Sequence, residues 1–77
     1  MFVFREFMRE CGRPEIIVRE CAFETIEDAK SCLNRNHSEL YEQQRKWPGV
    51  WSSCLDEGHY TIDNDDGDFF RGCIKEV

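Results

Sequence analysis

Apolar positions recur along this chain in two rhythms, and the points where the rhythm changes divide it into elements. Residues 2–10 and 16–23 are dense in Phe, Val, Ile, Met and Cys, with Gly12, Arg13 and Pro14 punctuating a turn between them. They predict a β-hairpin. Opposing residues whose numbers sum to 25 sets Arg5 against Glu20, Glu6 against Arg19, Phe7 against Val18 and Phe4 against Cys21, whereas a one-residue slip would oppose Glu6 to Glu20. In the favoured register Phe2, Phe4, Met8, Ile17, Cys21 and Phe23 form the core face, with Glu6 and Arg19 paired at its edge. Val3, Phe7, Ile16 and Val18 are left to a second face.

The period then lengthens. Thr25 followed by Glu27 and Asp28 is a helix start, because the threonine oxygen can accept from a backbone amide and the acids complement the positive helix end. Ile26, Ala29, Cys32 and Leu33 recur at helical spacing, which predicts a helix over about 26–34 packed on the hairpin. Asn34-Arg35-Asn36-His37 interrupts the stripe and offers a second cap, so a second, polar helix is expected over about 38–46, anchored by Leu40, Tyr41 and Trp47 and stopped by Pro48-Gly49. His37 reads as a loop or cap residue.

From Val50 the period is two. Residues 50–55, 59–64 and 69–75 predict three strands in an antiparallel meander, separated by Asp56-Glu57-Gly58 and Asp65-Asp66-Gly67-Asp68. Tyr60, Ile62, Phe70 and Ile74 share one parity and supply the other half of the core, provided Gly67 takes a left-handed backbone. Phe69 then points away from the core, beside the acidic turn. The expected fold is α+β, one domain over residues 1–77, ordered β-β-α-(α)-β-β-β, with one or two helices on one face of an antiparallel sheet.

Size and charge narrow what such a domain can do. A chain of 77 residues buries only about 60% of the surface its unfolded form exposes, which leaves no room for a separate cofactor domain. A charged fraction of 34% and a mean hydropathy of −0.65 exclude a membrane-spanning helix. Residues 48–77 hold seven acidic and two basic side chains, −5 of the net −6. That field repels phosphate backbones and attracts Lys/Arg-rich protein surfaces, so a basic protein partner is expected and direct nucleic-acid binding is not. Cys11, Cys21, Cys32, Cys54 and Cys73 are odd in number and show no two-residue spacing, and Arg5 breaks the N-terminal apolar run. Free thiols in the cytoplasm are the reading.

Candidate chemistry is sparse. Asp63-Asn64-Asp65-Asp66-Gly67-Asp68 invites comparison with an EF-hand calcium loop, but aligning its glycine puts Ile62 and Cys73 at the two strongest ligand positions. A hairpin turn accounts for the same residues. Cys73 with His59, or Cys54, His59 and Cys73 around zinc, match no nucleophile motif or ligand spacing, so no catalytic residue, metal site or cofactor is expected. Trp47 and Trp51 divide between core and interface roles. Binding through a surface remains, with Asp63, Asp65, Asp66, Asp68 and Phe69 as the candidate partner-binding set, taking positions that nucleic-acid phosphates would fill in a basic groove.

The run Phe23-Glu24-Thr25-Ile26-Glu27-Asp28-Ala29-Lys30, a strand entering a capped helix after an N-terminal hairpin and before a closing antiparallel hairpin, resembles small phage-encoded inhibitors of bacterial defence, anti-CRISPR proteins among them. The resemblance lies in size and element order. It implies a non-enzymatic protein of the host cytoplasm that occludes a nucleic-acid-binding surface of a defence complex. The alternative is a self-associating, homodimeric structural or regulatory module that uses the hairpin's second face or an exposed strand edge.

Overall fold

One hairpin, one long helix and a three-stranded meander account for the described residues. The structure, a computed structural model, describes residues 1–46, 49–64 and 67–77. Its elements are β1 (Phe2–Arg9), β2 (Ile16–Phe23), α1 (Ile26–Gln44), β3 (Trp51–Asp56), β4 (His59–Asn64) and β5 (Phe69–Glu76). β1 and β2 pair in the charge-matched register from Phe2↔Phe23 through Glu6↔Arg19. The register then shifts, so Phe7 faces Ile17 and the expected Phe7–Val18 pair does not form. Val18 is the extra residue of a bulge, and beyond it the strand's faces exchange. Ile17 is therefore carried off the core face and is 55% exposed.

All neighbours in the sheet are antiparallel, but the strands do not lie in chain order: the order is β2-β1-β5-β4-β3. β3, β4 and β5 form the expected meander, and β1 joins it by pairing with β5 along its whole length, from Phe2↔Glu76 to Arg9↔Phe69. This leaves β2 and β3 as opposite edges, and α1 must carry the chain from one to the other. Five strands spaced about 4.8 Å apart span about 19 Å. The nineteen residues of α1, rising about 1.5 Å each, cover that span with room to run diagonally.

The helix is unbroken, which corrects the expected interruption at residues 34–37 and the second helix at 38–46. Thr25 caps it as predicted, accepting from Asp28 N at 3.2 Å. Asn36 and His37 remain helical because their side chains are engaged across the core rather than with local backbone. The helix covers one sheet face, where Phe4, Cys32, Leu33, Tyr60 and Ile62 are buried and Phe23, Leu40, Tyr41, Trp51, Phe70 and Ile74 pack around them. Gly72 of β5 is part of that fit: a Cβ there would lie 2.2 Å from the Tyr60 ring. Trp51 thus belongs to the margin of the core, while Trp47 and Pro48 fall outside the described residues. Among the described residues no helix is long and apolar enough to cross a membrane.

Candidate functional site

The predicted acidic set lies where β4 turns into β5. Asp63 is exposed at the end of β4, flanked across the sheet by Ser52 on one side and Phe69 on the other. The Ser52 hydroxyl donates to its Oδ1. Asn64 braces the turn: its Oδ1 accepts from Asp68 N at 3.0 Å, its N–H donates to Asp68 O at 3.2 Å, and its carbonyl accepts from Gly67 N at 3.3 Å. Gly67 has φ +93°, the left-handed backbone expected of it. Asp68 is half-buried, and Asp65 and Asp66 lie outside the described residues. Val50, Ser52, Asp63 and Asn64 line an open hollow of about 330 Å³ beside the turn.

Phe69 is on the sheet face that α1 leaves uncovered, as its parity predicts, but it is not bare. Arg9, directly opposite on β1, sets its guanidinium carbon 5.3 Å from the ring centre. Phe7 is covered in the same way by Arg71 at 3.9 Å. Arg71 in turn makes two hydrogen bonds of 2.9 Å to Glu15, which hold the Glu15 carboxyl below its ordinary range. Arg5 and Glu20 pair across β1 and β2 at 2.6 Å. On the β2-β1-β5 half of this face Arg5, Arg9 and Arg71 are thus committed to carboxylates and rings, while Lys75 near the end of β5 is exposed. β3 and β4, by contrast, contain no Lys or Arg and carry Asp56 and Asp63, with Glu57 in the turn between them. Lys30 of α1 reaches across to Glu57 and lowers its pKa.

His59 and Cys73 are direct cross-strand partners, with Arg71 Nη1 4.0 Å from the Cys73 sulfur. Cys54 faces Thr61, and among the described residues no three His, Cys, Asp or Glu side chains converge as a metal site. Ile62, at the first position of the calcium-loop alignment, is fully buried.

The densest polar arrangement was only partly foreseen. Asn36, 5% exposed, sits at the centre of the core's polar edge. Its Nδ2 donates to Glu6 Oε1 at 2.8 Å and to Tyr60 Oη at 2.6 Å, and its Oδ1 accepts from Arg19 Nη1 at 2.7 Å. Glu6 and Arg19 are cross-strand neighbours as expected, but Asn36 stands between them in place of an ion pair. Burial, and then the charge of Glu6, push the Tyr60 hydroxyl well above its ordinary range. His37 stacks on Tyr41 and meets Tyr60 edge-on, and burial lowers its pKa. The available signal was Asn36 itself, a polar residue on the stripe Ala29, Cys32, Leu33, Leu40.

No family model, curated protein or solved structure matches this chain.

Proposed function

We propose that this chain is a non-enzymatic protein-binding module whose β3–β4 edge and β4–β5 turn dock on a basic surface that otherwise holds nucleic acid. One observation carries the reading: this edge presents carboxylates from strands that contain no Lys or Arg, while on the neighbouring half-sheet Arg5, Arg9 and Arg71 are taken up by Glu20, Phe69 and the pair Glu15 and Phe7. Asp63 at the end of β4 and Asp68 in the turn braced by Asn64 can exchange water for Lys and Arg donors at modest entropic cost, with fast and salt-sensitive association. The resemblance in size and element order extends this to an inhibitor of the kind phages encode, which blocks a host defence complex by occupying its nucleic-acid groove.

The test is capture of a basic nucleic-acid-handling complex by tagged protein from host lysate, with elution by rising salt and by added nucleic acid. Changing Asp63, Asp65, Asp66 and Asp68 together to Asn is expected to leave the far-UV spectrum unchanged and abolish capture. Capture that survives the fourfold change, or that added nucleic acid fails to displace, would sink the reading.

A second reading has its own observation. β2 is an edge strand on which Ile16, Ile17 and Val18 are 52%, 55% and 45% exposed, a consecutive apolar run beside unpaired backbone groups. This supports self-association through that edge. Val18→Glu should then convert a concentration-dependent dimer into a folded monomer by sedimentation velocity; a wild-type chain that is already monomeric at high concentration rules this out.

A further inference from the structure

A charge taken out of water needs a partner of opposite sign, because desolvating it costs several kcal/mol that hydrogen bonds to neutral groups offset only in part. Glu6 departs from that expectation. It is 7% exposed, and among the described residues it forms no ion pair and one hydrogen bond, at Oε1 from Asn36. The cation placed to neutralise it, Arg19 across the β1–β2 ladder, sends its Nη1 to Asn36 Oδ1. The carboxylate borders a cavity of about 170 Å³ between α1 and the first hairpin, lined by Glu6, Arg19, Asn36, Glu39, Leu40 and Gln43.

The chemistry of that lining is directional. Glu6 stands on β1 and Glu39, exposed, on α1, so two carboxylates reach the cavity from different elements. Gln43 adds an amide, and Leu40 an apolar flank against which a methylene chain can lie. Asn36 has no donor left, since both amide hydrogens are used, and what its oxygen can still offer is an acceptor. Among the described residues Arg19 is the one cation of the lining, its Nη1 held by Asn36, against two carboxylates, so the opening favours donors and positive charge, and at about 170 Å³ it admits the end of a side chain or a short amine. We infer that this cavity is a binding site for an ammonium or guanidinium group, with Glu6 as the buried counter-charge and Glu39 as the second carboxylate. It is separate from the acidic β3–β4 edge and does not depend on it.

The experiment is a ¹⁵N–¹H NMR titration of the full chain at low salt with three probes: N-acetyl-arginine amide, putrescine, and N-acetyl-glutamine amide as the neutral control. Saturable shifts centred on the Asn36 and Gln43 side-chain amides and the Glu6 backbone amide are expected with the cations alone. Tighter binding of the arginine amide assigns the cation to a protein side chain, and tighter binding of putrescine assigns it to a free amine. Glu39→Gln, on the exposed surface, should weaken binding about tenfold with the fold unchanged, corresponding to one charge-assisted hydrogen bond. Glu6→Gln, which keeps an acceptor for Asn36, should abolish it, while Asp63→Asn should have no effect. Equal shifts with the neutral probe, no shifts with any probe, or binding unaffected by Glu39→Gln would overturn the inference.

Discussion

Asn36 shows how one polar side chain can hold a helix to three strands. With its oxygen bound to Arg19 and its nitrogen to Glu6 and Tyr60, removing it strands a buried carboxylate and a buried hydroxyl at once. Asn36→Leu is therefore expected to cost about 3 kcal/mol in urea unfolding, near the upper end for orphaned buried polar groups. Glu6→Leu in the same background should recover part of that loss, because the charge needing a donor is gone; strictly additive costs would mean that the three contacts carry no shared energy. The Glu6–Arg19 adjacency was legible from charge matching in the hairpin, but the hub was not, since Asn36 falls on the apolar helical stripe while its neighbours Asn34, Arg35 and His37 give the segment the composition of a cap. His37 adds a pH dependence with a definite sign. Burial lowers its folded-state pKa below the ordinary 6.5, so the unfolded chain takes up a proton first. Stability should be undiminished by this group above about pH 6.5, fall as pH drops below it, and stop falling once the lowered folded-state pKa is passed. His37→Phe, which keeps an aromatic ring against Tyr41 and Tyr60, should flatten that stretch of the profile. A profile identical to wild type would show that His37 protonates freely in the fold.

At the level of elements, strands and their hairpins were legible because each is bounded by its own turn chemistry: Gly12-Arg13-Pro14, Asp56-Glu57-Gly58 and the acidic turn. The pairing of β1 with β5 has no such marker. It joins the first strand to the last, and alternation of apolar residues is satisfied equally by other strand orders. The continuity of α1 was hidden for a related reason, because Asn34-Arg35-Asn36-His37 has the composition of a cap and only the distance between β2 and β3, together with the hub, makes it helical. The seam between β4 and β5 can be tested at Gly72, whose φ is not in the left-handed region and whose role is space for the Tyr60 ring. With the hydroxyl of that ring tied to Asn36, the ring has little freedom to yield. Gly72→Ala should destabilise by about 1–3 kcal/mol, as overpacked cores do. Tyr60→Leu introduced with it should cost less than it does alone. A Gly72→Ala protein with wild-type stability would place the ring elsewhere.

For the molecule as a whole, one helix covers one side of a five-stranded sheet, and the other side has to meet water without a second layer. It does so by laying Arg71 on Phe7 and Arg9 on Phe69, so that aromatic rings of the open face are covered by guanidinium planes whose edges stay hydrated. Glu15 then fixes Arg71 from the β1–β2 turn, which makes the cover part of the fold rather than a loose surface contact. This arrangement explains how Phe69, read from the sequence as an outward-pointing anchor, is outward and yet half-buried. Removing the covers separates their two effects. Arg9→Ala with Arg71→Ala should keep the core, since neither side chain reaches the helix face, but should raise binding of a hydrophobic dye and promote association through the newly bared face. The comparison belongs in a Val18→Glu background, where association through the β2 edge is suppressed and any dimer seen by sedimentation must use the open face. If the triple variant stays monomeric and dye binding is unchanged, the arginines are ornaments of a face that is already polar enough. If it associates, the two Arg–Phe pairs are what keep a half-covered sheet in solution.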